Sequence, residues 1–120
     1  MNAYPLLRRL DSNFVVLLVL FNALNILDAL TTSAGLSCGY TEGNAYFAQL
    51  LASTGAWAYA IKIGLFLFFT FVLYRMRQAY VPRPRAGSAT FSTMLFGVVL
   101  LVIVCLGVVV LSNTIRILQC

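Results

Sequence analysis

The sequence predicts an all-α integral membrane protein, a bundle of three transmembrane helices. Of its 120 residues, 62% are hydrophobic and only 9% are charged, whereas an ordinary soluble domain carries about 25% charged residues. Three apolar stretches are each long enough to cross the roughly 30 Å hydrocarbon core of a bilayer, which takes a helix of about 20 residues. A soluble fold built from these stretches would leave too little polar surface to cover its core.

The predicted spans cover about residues 14–36, 50–74 and 91–111. The first connection, residues 37–44, is rich in glycine and polar residues, and the second, residues 75–90, holds two prolines and four arginines. No long repeat or low-complexity tract divides the sequence, so residues 1–120 are predicted to form a single transmembrane domain.

The arginines predict the orientation. Two precede the first span, four lie in the second connection, none lies in the first connection, and Arg116 follows the third span. Because loops rich in Lys and Arg stay on the cytoplasmic side, the N-terminus and the second connection are predicted inside, and the first connection and the C-terminus outside. This describes a multi-pass protein of the cytoplasmic (inner) membrane. Arginines placed at the ends of apolar runs also argue against a nucleic-acid-binding face.

A cleaved signal peptide is the alternative interpretation of the first span. Its basic start and the small-x-small site Thr32–Ser33–Ala34 resemble one. The length of the apolar run and the polar residues within it favour a retained span.

Span 1 carries polar residues at intervals of three, three and four: Asn22, Asn25, Asp28 and Thr32. This spacing puts them on one side of a helix. An ionised Asp in the centre of the membrane costs about 2.5–3.5 kcal/mol on insertion-based scales, so the stripe is expected to face protein or water.

Span 2 carries Lys62 near the centre of its predicted range. A lysine at that depth needs a partner, and the preferred interpretation is a buried ion pair with Asp28. The alternatives are a Lys62 kept neutral by desolvation and a Lys62 that pairs with another subunit.

Another side of span 2 carries small residues every fourth position: Ala52, Ala56, Ala60 and Gly64. Such a ridge lets membrane helices approach closely, although Ala and Gly are also common in membrane helices without any packing role. The bulky rings that follow, Phe66, Phe68, Phe69 and Phe71, suit lipid and are compatible with bound lipid or pigment.

Further polar residues lie towards the predicted outer side: Glu42 and Asn44 in the first connection, and Asn113 near the end of span 3. Together with the residues above they define the predicted polar core: Asn22, Asn25, Asp28, Thr32, Glu42, Asn44, Lys62 and Asn113. Glu42 is expected either to attract a cation or, as is commoner, to cap the start of a helix.

Cys38 and Cys120 share the outer side in this topology, so they either form a disulfide or remain free or intermolecular thiols. Cys105 lies within span 3, where it needs no function beyond packing. The sequence contains no histidine and no cysteine pair with metal-binding spacing, so neither a metal site nor a cofactor is predicted.

The order Asn25-x-x-Asp28-x-x-x-Thr32, Glu42-x-Asn44, Lys62 and Asn113 is similar to that of a family of small prokaryotic three-span membrane domains of unknown function. The resemblance extends from about Asn22 to Asn113. The family pattern has a proline directly after Glu-x-Asn, where this chain has Ala45. The resemblance implies a three-span fold with a polar core and implies no activity.

These residues are compatible with three classes of function. A non-catalytic subunit of a larger respiratory, photosynthetic or similar membrane complex is preferred, because three short helices enclose no lumen and span 2 offers two contact faces. Its expected partners are membrane lipids and other membrane subunits or further copies of itself. The alternative is a small homo-oligomeric transporter or channel that uses the Asp28–Lys62 pair, although the sequence shows neither a broken helix nor an internal repeat. An enzyme is the least favoured, since no Ser/His, Cys/His or paired-carboxylate constellation is present.

Overall fold

The computed structural model describes residues 4–80 and 88–120, and the side chains of 13–79, 91 and 93–120. Within these ranges the chain is all-α, with three long apolar helices, as the sequence predicted. Pro82, Arg83, Pro84 and Arg85 of the second connection, and the side chains of Arg8 and Arg9, lie outside the described residues. The helices are α1 (Tyr4–Ser37), α2 (Ala45–Thr54), α3 (Trp57–Tyr80) and α4 (Ser88–Leu118).

Three of these helices are long and apolar enough to cross a membrane. The apolar segments are Asn13–Ser37, Trp57–Ala79 and Thr93–Leu118, which contain 25, 23 and 26 residues. At a rise of about 1.5 Å per residue, each is longer than the roughly 30 Å of hydrocarbon that a span must cross. The first and third predicted spans lie within α1 and α4.

The predicted second span, residues 50–74, is wrong at both ends. Residues 50–54 belong to the separate helix α2, which ends at Gly55 with φ 62° and ψ −137°. This backbone conformation is open to glycine and strained for other residues. At the other end, α3 continues to Tyr80, so Arg75 and Arg77 lie in a helix and not in the connection. The break between α2 and α3 produces no change in hydropathy because both helices are apolar, so hydropathy alone did not predict it.

The turn at Gly55 folds α2 back against the start of α3. In one straight helix, the fifteen positions between Phe47 and Lys62 would separate them by roughly 22 Å. Instead, Lys62 Nζ lies 5.1 Å from the centroid of the Phe47 ring. The same ring meets Tyr59 edge to face, with centroids 5.5 Å apart. α2 and α3 are therefore two separate helices packed against each other, and Phe47 is buried in their contact.

The break also divides the predicted ridge of small residues. Ala52 lies in α2 and Ala56 in the turn, so only Ala60 and Gly64 share a helix. All four residues are exposed, and a Cβ built on Gly64 would meet nothing within 4 Å. The continuous ridge was thus a wrong prediction, and its two members on α3 are exposed in the described part of the chain.

The apolar core lies between α1 and α4. Phe14, Leu18 and Phe21 of α1 pack against Val99 and Ile103 of α4. The α1 residues are four and three positions apart, which keeps them on one face of the helix. α3 joins this core through Phe66, whose ring stacks on that of Phe21 with centroids 4.9 Å apart. At the far end of α3, the Arg77 guanidinium lies 4.4 Å from the Phe14 ring centroid.

The turn between α2 and α3 can be tested with two matched substitutions. Gly55→Ala forces a Cβ into a left-handed backbone conformation and should lower the free energy of unfolding by about 1–3 kcal/mol. Gly64→Ala in helical backbone with open space around it should be neutral, or stabilising by up to about 1 kcal/mol. Thermal unfolding in detergent would measure both. Equal melting temperatures for the two variants would contradict the turn.

Candidate functional site

Three helices meet at the carboxylate of Asp28. On α3, the Lys62 ammonium donates to Asp28 Oδ2. On α4, Asn113 Nδ2 lies 3.4 Å from Asp28 Oδ1, and Thr32 of α1 donates to the same oxygen at 3.5 Å. The side chains of Lys62 and Asp28 are 19% and 9% exposed. The structure therefore brings these predicted residues into direct contact and gives the buried carboxylate donors from α1, α3 and α4.

Lys62 does not lie at the centre of its span. It is the sixth residue of α3, which begins at Trp57. The central position was predicted from a span 2 that begins at Leu50. The ammonium is thus about 8 Å of helix rise from the start of α3, with the Phe47 ring of α2 beside it. The ion pair lies at the same end of the bundle as the connection between α1 and α2.

Asn113 also bridges α4 to the threonines of α1. Its Nδ2 lies 3.3 Å from Thr31 Oγ1 and 3.4 Å from Thr32 Oγ1. Thr31 in turn donates to the carbonyl of Leu27 at 2.9 Å. A single amide from α4 is therefore shared among three polar side chains of α1, which makes Asn113 part of the site.

The two remaining residues of the predicted polar stripe on α1, Asn22 and Asn25, lie farther from the α1–α2 connection. Asn22 donates through Nδ2 to Thr70 Oγ1 of α3 at 2.7 Å and to the Leu18 carbonyl at 2.8 Å. Asn25 is 1% exposed, and its Oδ1 has no hydrogen-bond partner among the described residues. The predicted polar stripe therefore has two parts, a tie to α3 at Asn22 and the cluster around Asp28.

Glu42 and Asn44 order the start of α2. Asn44 Oδ1 accepts from the backbone N–H groups of Tyr46 at 3.1 Å and Phe47 at 3.3 Å, as an N-cap does. Glu42 Oε1 accepts from the Asn44 backbone N–H at 2.9 Å. The N-cap of α2 is therefore Asn44, and Glu42 holds that residue in place through its backbone N–H without capping the helix itself. Ala45 is the first helical residue, a position that suits the proline of the resembling family.

A disulfide and a hydrogen bond tie the α1–α2 connection to the last turn of α4. Cys38 and Cys120 are bonded, with their Cα atoms 5.9 Å apart. The Tyr40 hydroxyl donates to the Arg116 carbonyl at 3.1 Å. Cys105 is a free thiol. These two ties hold the connection over the end of the bundle where the ion pair lies.

A cavity of about 670 Å³ lies between this connection and the Asp28 cluster. Asp28, Lys62 and Asn113 line its deep part, and Glu42 and Arg116 line it nearer the connection. Its apolar wall includes Phe66, Leu106 and Val109. Volumes of 300–1,000 Å³ are typical of small-ligand sites. Among the described residues, no group of three or more Cys, Asp or Glu converges in a way that could hold a metal ion.

The sequence pattern did not predict that three further residues belong to this site: Phe47, Tyr40 and Arg116. Phe47 was missed because it lies between the predicted connection (37–44) and the predicted span (50–74), yet Asn44 and Gly55 are a start and a stop signal that bracket a short helix. Tyr40 and Arg116 are 76 positions apart, and no local pattern links them.

The contact between Asp28 and Lys62 predicts a strong coupling. Asp28→Asn and Lys62→Met should each lower the free energy of unfolding by about 3 kcal/mol, because each leaves one buried polar partner unpaired. The double variant should recover much of that loss. The free energies of unfolding in detergent of the wild type, the two single variants and the double variant would measure this coupling. Glu42→Gln is the control, because Glu42 forms no ion pair among the described residues. Strictly additive losses would contradict a direct ion pair.

The family described as "Domain of unknown function (DUF5658)" matches residues 18–118, which include every residue of the Asp28 cluster. No curated protein and no solved structure matches the chain.

Proposed function

We propose that this chain, which belongs to the DUF5658 family of domains of unknown function, is a non-catalytic subunit that packs in or around a larger membrane protein complex. In this proposal, α1, α3 and α4 form a three-helix bundle in the membrane. The contacts around Asp28 lock the bundle, and α3 provides the surface that meets the neighbouring subunit. The complex would be of the respiratory, photosynthetic or a similar multisubunit kind.

The uncovered surface of α3 carries the proposal. α3 is the least buried of the three long helices, and it packs on α1 while touching α4 only sparsely. Ala60 and Gly64 are exposed on it, with open space beside Gly64. Without a hydrophobic effect in lipid, membrane helices associate through close packing, which small residues permit. A neighbouring helix is the partner that such a surface fits best.

The apolar core argues against transport by a single copy. The cavity ends at Phe66 and Leu106, and beyond them Phe14, Phe21 and Val99 are buried in packed contact. A polar solute that entered beside Lys62 would therefore meet a packed, mostly apolar layer in which Asn22 and Thr70 are already hydrogen-bonded to each other. This supports a structural role for the ion pair in one chain.

The proposed topology has the N-terminus in the cytoplasm and the disulfide outside, in a multi-pass protein of the inner membrane. The disulfide supports this orientation, since such bonds persist in oxidising compartments. The disulfide also predicts how many cysteines react with a thiol reagent before and after reduction. Alkylation of freshly isolated membranes under denaturing conditions should modify only Cys105 without reductant, and all three cysteines after reduction. Three reactive thiols before reduction would place Cys38 and Cys120 in a reducing compartment and contradict the topology.

The partner surface predicts what should be recovered on extraction. In mild detergent, native mass measurement and proteomics should find foreign membrane subunits in fixed stoichiometry with the chain. Gly64→Leu should release them because its side chain fills the open face of α3. Gly97→Leu is the matched control, since Gly97 is an exposed helical glycine of α4 with equally open space. Retention of the partner by both variants would contradict α3 as the contact surface.

A small homo-oligomeric transporter or channel is the second candidate. It is favoured by one observation: a cavity of about 670 Å³ is lined by the ion pair of Asp28 and Lys62. Several copies around an axis would be needed to extend the pathway past the apolar core. A pure homo-oligomer in the extraction experiment would select this function over the accessory subunit.

A further inference from the structure

The charges that line the cavity are balanced. Two are acidic, Asp28 and Glu42, and two are basic, Lys62 and Arg116. Asp28 and Lys62 neutralise each other in the deep part. Within the described part of the chain, Glu42 and Arg116 form no ion pair, so one negative and one positive charge remain near the connection. A ligand that is neutral overall but carries separated charges complements this pair, whereas a net anion or cation leaves one charge unmatched.

The deep part of the cavity still has hydrogen-bond donors to offer. Asp28 is occupied by Lys62, Thr32 and Asn113. Lys62 makes a single hydrogen bond among the described residues, to Asp28, and an ammonium has three N–H groups. Two donors are therefore left for the oxygen atoms of a ligand.

The depth of the cavity matches the part of one leaflet that contains the headgroups and the first carbons of the acyl chains. Asp28 lies nine residues before the end of α1 at Ser37, which is about 13 Å of helix rise. The cavity thus extends from the level of the α1–α2 connection to the level of the upper acyl chains. Its apolar wall is formed by Phe66 of α3 and by Leu106 and Val109 of α4, two helices that touch only sparsely.

We propose that this cavity binds one phospholipid with a zwitterionic headgroup that carries a phosphate and a primary ammonium. The ammonium pairs with Glu42, and the phosphate pairs with Arg116. Lys62 donates to the oxygens of the phosphate or the ester groups. An acyl chain lies along Phe66 and Leu106 in the opening between α3 and α4. This lipid site does not depend on the proposed neighbouring subunit on α3, so a failure of either proposal leaves the other untouched.

The test is native mass spectrometry of the full chain in detergent with equal amounts of phosphatidylethanolamine and phosphatidylglycerol. One phosphatidylethanolamine should stay bound per chain, in preference to the anionic phosphatidylglycerol. Glu42→Gln keeps an oxygen for the Asn44 N–H but loses the charge. It should reduce that preference about tenfold, as expected for a lost charge-assisted hydrogen bond. Arg116→Gln should weaken the binding of both lipids.

Arg75→Gln is the control, because Arg75 is an exposed arginine towards the opposite end of α3, and it should leave lipid binding unchanged. Retention of both lipids in proportion to supply, unaffected by Glu42→Gln and Arg116→Gln, would show a non-specific lipid shell and overturn the proposal. Displacement of the lipid by millimolar soluble phosphoethanolamine would also overturn it, by identifying a water-soluble zwitterion as the ligand. Melting temperatures of the variants would distinguish lost binding from lost folding.

Discussion

The arrangement of this protein depends on one buried carboxylate. Asp28 accepts hydrogen bonds from Lys62 of α3, Asn113 of α4 and Thr32 of α1, so a single group constrains three helices at once. In hydrocarbon, a carboxylate without such donors costs several kcal/mol, and this cost makes alternative registers of the helices unfavourable. Apolar membrane helices slide past one another with little penalty; helices that share a buried charge do not. The ion pair thus contributes more to the choice of one arrangement than to the total stability, for which buried pairs are weak contributors.

The same face of α1 forms both the core and the site. Buried or half-buried residues recur on this face at alternating intervals of four and three: Phe14, Leu18, Phe21, Asn25, Asp28 and Thr32. The first three are apolar, and the last three are polar. The first half of this face packs against Val99 and Ile103, and its second half meets Lys62 and Asn113. Asn25 lies at the boundary; it is buried, and its Oδ1 accepts no hydrogen bond from the described residues. One helix therefore supplies a dry contact at one end and a polar cavity at the other without any change of register.

What could be predicted followed from strong energetic rules. Three spans follow from hydropathy, and the Asp28–Lys62 pair follows from the cost of two lone charges in lipid. The break at Gly55 was not predicted because hydropathy does not change across it. Asn44 and Gly55 are nevertheless residue types that favour the start and the end of a helix, and they mark the bounds of α2. Lys62 was consequently placed too deep, and the alanine ridge was drawn across a turn. The contact between Tyr40 and Arg116 had no local signal, since it depends on how far α4 extends relative to α1. Pairs of unlike charge within spans are predictable; polar contacts at the ends of helices depend on tertiary geometry.

The disulfide has a consequence for how the protein is made. Cys38 and Cys120 are separated by 82 positions, with α2, α3 and α4 between them. The first thiol is synthesised early and has no partner until α4 is complete and its end lies beside the α1–α2 connection. A chain arrested after α3 contains no second cysteine. The bond is therefore a covalent record of a finished chain in which α4 has packed against α1.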